Sequence, residues 1–186
     1  MENILVDLFK VFWFFLPVGV ANMIPIPVSK IGFLRKYDYP IDCYKSFGGK
    51  RLLGDHKTVR GLVSGVLAAV VVCGIQAWMF GLGITDGVSI IDYSSINWGV
   101  LGALFGIGAL GGDSIESFFK RQLGVASGKT WFPFDQLDYI LGGILVTVMY
   151  VRVSIYYYIL IVIIYFVLHL ISSFGGYLMG FKESAI

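Results

Sequence analysis

Charge is scarce in this chain. Asp, Glu, Lys and Arg make up 14% of its 186 residues, where soluble domains carry about 25%. Apolar residues reach 57% and the mean hydropathy is +0.80, more apolar surface than a globule of this size hides from water, which excludes a soluble enzyme. Cysteine is nearly absent, and Cys43 and Cys73 form neither a zinc pattern nor a disulfide framework. The net charge of +2 is too small for a general nucleic-acid binder. Internal repeats and low-complexity stretches are lacking as well. What is left is one membrane-embedded domain over residues 1–186.

Apolar runs are what the chain has in quantity. A helix needs about 20 apolar residues to cross the hydrocarbon core. Charge-free runs cover 61–85, 93–112 and 153–181. A fourth, 11–29, ends at Pro25 and Pro27, and is expected to be retained because Glu2 and Asp7 precede it and no small-residue cleavage pattern follows. A fifth, 139–151, spans only if its helix runs from Asp135 to Arg152, about 27 Å at 1.5 Å per residue. The expected fold is therefore all-α with five transmembrane helices. Cytoplasmic loops would lie near 27–60 and 113–135.

Basic residues set the expected orientation. Lys30, Arg35, Lys36, Lys45, Lys50, Arg51, Lys57, Arg60, Lys120, Arg121, Lys129 and Lys182 fall on one side, and only Lys10 and Arg152 on the other. The positive-inside rule puts the N-terminus outside and the C-terminus in the cytoplasm. Glycines stud the third span, and Gly102 and Gly106 have the spacing that lets helices approach closely. Gly111-Gly112 precedes acidic residues and is expected to break that span.

Four carboxylates stand near the inner ends of spans three and four: Asp113, Glu116, Asp135 and Asp138. Each pair is spaced i,i+3 and shares a helix face. Both pairs also read as capping boxes, but two such pairs at membrane depth need partners or a metal. Oxygen-only ligands suit Mg²⁺ bound together with substrate phosphates. Lys120 follows Glu116 at i+4, and Arg121 follows Ser117 at i+4. These are either ordinary helix pairs or groups that neutralise phosphate.

The segment Phe47 to Gly61 carries glycines and basic side chains just before span two. Its Gly54-Asp55-His56-Lys57-Thr58 spacing does not fit a Walker A loop. A polyphosphate site and a basic segment attracted to lipid head groups both remain open. His169 reads as a packed helix residue.

Taken together, Gly112-Asp113-Ser114-Ile115-Glu116-Ser117-Phe118-Phe119-Lys120-Arg121 and Pro133-Phe134-Asp135-Gln136-Leu137-Asp138 resemble the signature of CDP-diacylglycerol synthases. With Asn22-Met23-Ile24-Pro25-Ile26-Pro27 and Gly54 to Gly61, the chain is more similar to the archaeal CDP-archaeol synthases. The His-Gly-Gly of the diacylglycerol branch is replaced by Trp131-Phe132-Pro133-Phe134, and its Arg in the second acidic pair is Gln136. The resemblance implies Mg²⁺-dependent transfer of CMP from CTP to 2,3-bis-O-(geranylgeranyl)glycerol 1-phosphate, at the cytoplasmic side of the cell membrane. Carried onto matching positions, it implies Asp113, Asp135 and Glu116 as metal-associated, and Lys120, Arg121 and Asp138 as catalytic. Gly54, Asp55, His56, Lys57, Thr58, Arg60 and Ser117 would meet the nucleotide phosphates. The alternatives are a CDP-diacylglycerol synthase and an ion-coupled transporter, the latter disfavoured by the lack of repeated halves.

Overall fold

The computed structural model describes residues 4–126 and 129–178. Its helices are α1 (Ile4–Met23), the short α2 (Pro25–Ser29), α3 (Val59–Gly81), α4 (Trp98–Gln122), α5 (Phe134–Tyr150) and α6 (Ile155–Leu178). A 3₁₀ turn (Gly32–Tyr37) and a small antiparallel hairpin, β1 (Ser46–Phe47) with β2 (Lys50–Arg51), occupy the connection between α2 and α3. Local signals explain the helix starts. Pro25 opens α2, where a missing N–H costs nothing. Thr58 caps α3 by accepting from the Gly61 N–H at 3.2 Å, and Asn97 caps α4 by accepting from the Val100 N–H at 3.1 Å.

Four helical segments are long and apolar enough to cross a membrane among the described residues: Ile4–Ser29, Val59–Gly81, Trp98–Gln122 and Ile155–Leu178. The expected fifth crossing is not among them. Pro133 sits at the N-cap of α5, and the chain turns extended at Val151, before Arg152. The intervening 17 residues reach about 25 Å, short of a core about 30 Å thick. The expected five transmembrane helices are corrected to four among the described residues. Position 182 and the end of the last apolar run, 179–181, lie outside the described residues.

A second correction concerns α4, which passes through Gly111-Gly112 without a break and continues to Gln122. Asp113 therefore lies inside a helix and caps nothing. Gly102 and Gly106 do serve close approach: a Cβ on Gly106 would lie 2.6 Å from the Val66 Cα, and one on Gly102 2.7 Å from the Val70 Cα, both on α3. The core lies among α1, α3, α4, α5 and α6, where Phe14 and Phe15 meet the Phe105 ring edge-on at 5.5 and 5.8 Å, and Phe15 meets Tyr165 at 5.1 Å. Leu67, Val71, Ile107, Ile163 and Ile171 are exposed on the outside of the crossing helices, as a surface solvated by lipid requires. Leu141, Leu145 and Val148 give α5 a similar outer face.

Candidate functional site

The site begins with a contact between two backbones. A Cβ on Gly112 would strike the Asp138 carbonyl oxygen, and one on Gly142 would strike the Gly108 carbonyl oxygen. Only hydrogen at these positions lets α4 and α5 approach so closely. Asp113 and Glu116, one turn apart on α4, are thereby brought against Asp138 on α5. One carboxylate oxygen from each of the three lies within 4.8 Å of the others. Glu116 is buried, Asp113 and Asp138 are half-buried, and the Glu116 Oε1 has no hydrogen-bond partner. Three crowded carboxylates, one with a buried oxygen that accepts no hydrogen bond, could hold a metal cation. An all-oxygen donor set of this kind fits a hard divalent ion such as Mg²⁺.

Two ammonium groups flank this cluster. The Lys57 Nζ donates to both Asp113 oxygens at 2.6 Å. The Lys120 Nζ donates to the Asp135 Oδ1 at 2.7 Å and stands 3.6 Å from the Glu116 Oε1. Asp135 also accepts from the Trp131 N–H at 2.7 Å, on its Oδ2. The structure thus groups Asp138 with Asp113 and Glu116, and turns Asp135 toward Lys120 at the rim. Ser117 is buried beside Glu116 in sequence, whereas Arg121 donates outward to the Ala126 carbonyl at 3.3 Å.

The segment from 38 to 60 delivers Lys57. The Ile41 N–H donates to the Lys57 carbonyl and the Val59 N–H to the Tyr39 carbonyl, both at 2.8 Å. Arg60 is buried, pairs through Nη2 with the Asp38 Oδ1 at 3.0 Å, and leaves Nε and Nη1 without partners. Thr58 works as the α3 cap. Asp55 is exposed and accepts from Arg51 at 2.9 Å, and His56 is exposed.

Two further residues shape the approach to the site. Lys50 donates from Nζ to the Gln122 carbonyl at 2.6 Å and ties the hairpin to the end of α4. Asp42 is buried and gathers Arg51 together with the N–H groups of Tyr44, Leu53 and Gly54. Burial opposes its charge, but the Arg51 bonds and the three N–H donors prevail and hold the carboxyl down at about 2. Its sequence signal is slight, an Asp ahead of a turn.

Fold and site together define a multi-pass membrane protein that gathers carboxylates and ammonium groups at one end of its helices. The whole chain, residues 1–186, matches the model of the CarS-like CDP-archaeol synthases. It is 34% identical over 183 residues to the CDP-archaeol synthase of Saccharolobus solfataricus, covering 97% of this chain and 98% of that one. With the CDP-archaeol synthase of Sulfurisphaera tokodaii it shares 34% identity over 172 residues, 91% of each chain. With that of Methanospirillum hungatei the identity is 32% over 151 residues, 77% of this chain and 87% of the other. A solved structure of an intramembrane enzyme for archaeal membrane lipids biosynthesis superposes with a TM-score of 0.70 at 27% identity, covering 87% of this chain and 90% of that one. The chain belongs to the CDP-archaeol synthase family, enzymes of the nucleotidyltransferase type that serve lipid biosynthesis.

Proposed function

We propose that this protein transfers CMP from CTP to 2,3-bis-O-(geranylgeranyl)glycerol 1-phosphate in an Mg²⁺-dependent reaction, releasing pyrophosphate. The observation that carries this reading is the Asp113, Glu116 and Asp138 cluster between Lys57 and Lys120. In the reaction an oxygen of the lipid phosphate forms a bond to the α-phosphorus of CTP. The bond to the β-phosphate oxygen breaks, and its electron pair leaves with pyrophosphate. A phosphate monoester has a second pKa of about 6, so the nucleophile is largely dianionic at neutral pH and needs no strong base.

The main barrier is repulsion between two polyanions. Asp113, Glu116 and Asp138 would hold Mg²⁺, which would supply charge neutralisation and Lewis-acid polarisation. Lys120 and Lys57 add positive charge beside it, and Arg60 offers unpartnered N–H groups. Ser117 and the Gly54–Thr58 turn join them as the phosphate-binding set, with Asp135 holding Lys120 in place. Arg121 reaches the phosphates only if it leaves the Ala126 carbonyl.

The site end of the bundle carries Lys30 to Arg60 and Lys120 to Lys129, whereas the opposite connection, 82–97, carries Asp86 and Asp92 and no Lys or Arg. That asymmetry favours a cytoplasmic site, where CTP is found. The lipid tails stay in the bilayer, since each CH₂ drawn into water costs about 0.8 kcal/mol. The test is transfer of label from CTP into a prenylated glycerol phosphate by the purified protein in detergent. Transfer that stops on chelation and returns with Mg²⁺ supports the reading, and transfer that ignores chelation overturns the metal assignment. A protein that moves no label into any lipid phosphate is not a cytidylyltransferase.

A further inference from the structure

We propose that Asp42 is a positioning residue that fixes the 42–57 loop so that Lys57 is presented to Asp113. This rests on the proposed cytidylyltransferase reading for its consequence, though not for its geometry. From 43 to 50 the loop is exposed at every position, whereas Asp42 is buried. Its two oxygens accept five hydrogen bonds. Arg51 donates from Nε and Nη2 at 3.2 and 2.9 Å, and the N–H groups of Tyr44, Leu53 and Gly54 donate at 3.0, 3.1 and 3.3 Å.

The backbone around Asp42 shows what these bonds hold. Cys43 and Tyr44 both take positive φ, 48° and 63°, a conformation uncommon outside glycine. The Tyr44 N–H bonded to Asp42 closes that turn, and the Arg51 guanidinium lies 5.0 Å over the Tyr44 ring. Gly54, at φ 97°, receives the other end of the clamp, and the Lys57 N–H donates back to the Gly54 carbonyl at 3.4 Å. On the other side of Asp42, Ile41 donates to the Lys57 carbonyl. Both neighbours of the Asp42 clamp therefore hold the backbone of Lys57, whose ammonium reaches Asp113 at 2.6 Å. Asp42 itself touches none of the clustered carboxylates.

The test has two arms on the full-length protein in detergent. Amide hydrogen exchange without nucleotide compares wild type, Asp42→Asn and Asp42→Glu at Leu53, Gly54 and Lys57. Asp42→Asn is expected to speed exchange at these amides while the amides of α3 and α4 keep their protection, with Asp42→Glu closer to wild type. Unchanged exchange overturns the proposal, whatever the substrate is. The second arm is a kinetic cycle with Lys57→Met. Asp42→Asn alone should raise the KM for CTP by at least about tenfold, leave the KM for the lipid phosphate in place, and add almost nothing once Lys57 is gone. Additive losses overturn the proposal, because Asp42 then does not act through Lys57. If the wild type transfers no CMP, the functional reading fails by itself and the exchange arm still decides the role of Asp42.

Discussion

At the far end of the bundle Gln76 and Asp7 find side-chain and backbone partners within the protein, and at the near end carboxylates outnumber the ammonium groups beside them. The wholly buried Gln76 donates from Nε2 to the Trp13 carbonyl and accepts on Oε1 from the Tyr93 hydroxyl at 3.0 Å. Asp7, also buried, accepts from the Tyr156 hydroxyl at 3.1 Å and has Lys10 at 3.6 Å. These groups join α1 to α3, α6 and the 82–97 connection, and one carboxylate has one ammonium beside it. At the near end Lys57 pairs with Asp113 and Lys120 with Glu116 and Asp135, and Asp138 stands in the same cluster as a fourth carboxylate. Hydrogen-bonded networks hold a structure together, whereas an excess of negative oxygen atoms at membrane depth marks a place for a cation or a substrate.

The comparison breaks first, and by the largest effect, if the near end proves dispensable. Asp113→Asn and Asp138→Asn should each lower CMP transfer by about 10²–10³-fold, the loss typical of removing a principal electrostatic stabiliser. Both should also weaken Mn²⁺ binding followed by electron paramagnetic resonance without nucleotide. Asp135→Asn frees Lys120 without removing a member of the tight cluster, so it should cost turnover while sparing Mn²⁺ affinity. Normal Mn²⁺ binding by Asp138→Asn would move the metal to Asp135.

The second test separates two adjacent glycines. Gly112→Ala puts a methyl group into the Asp138 carbonyl oxygen, so α4 and α5 must part and the cluster opens. Around Gly111 a Cβ meets nothing within 4 Å, and Gly111→Ala should be tolerated, even gaining from alanine's better helix propensity by about 1 kcal/mol. Overpacking of this kind costs about 1–3 kcal/mol in stability, and turnover per folded molecule should fall further for Gly112→Ala alone. Equal behaviour of the two variants would show that the helix contact does not set the site.

The far end supplies the third. Gln76→Leu leaves the Tyr93 hydroxyl and the Trp13 carbonyl without their partner, a loss of about 1–3 kcal/mol. A lower melting temperature with unchanged KM for CTP is expected. A changed KM would mean that the two ends are coupled.

Much of this contrast was legible before the fold was known. Four spans follow from runs of apolar residues long enough to cross, and Gly102 and Gly106 from their spacing. The failure of the fifth span turned on where Pro133 begins α5 and on the extended backbone at Val151, neither of which hydropathy weighs. Gly111-Gly112 looked like a break because glycine is a poor helix former. Inside a packed bundle the same residue is kept for lack of a side chain. The four acidic residues were found as a set, but their partners were not. Which member of an i,i+3 pair faces inward depends on the rotation of α5, set by the Gly112 and Gly142 contacts. Asp42 was invisible because its partners stand two, nine, eleven and twelve residues away in an aperiodic loop.

The smallest effect expected is in the acid stability of that loop. The Asp42 carboxyl titrates at about 2 against an ordinary 3.8, so the folded loop favours its charged form. The stabilisation it gives is complete above the ordinary value and is lost as the pH falls through about 2. Pepsin, active across this range, can report it. At a pH a little above the ordinary carboxylate value, wild-type protein should resist cleavage in the 42–57 loop while Asp42→Asn is cut. Below about 2 the two should be cut alike, since wild type then carries the neutral carboxyl as well. Wild type cut as readily as Asp42→Asn above the ordinary carboxylate value would show that the Asp42 bonds do not protect this loop.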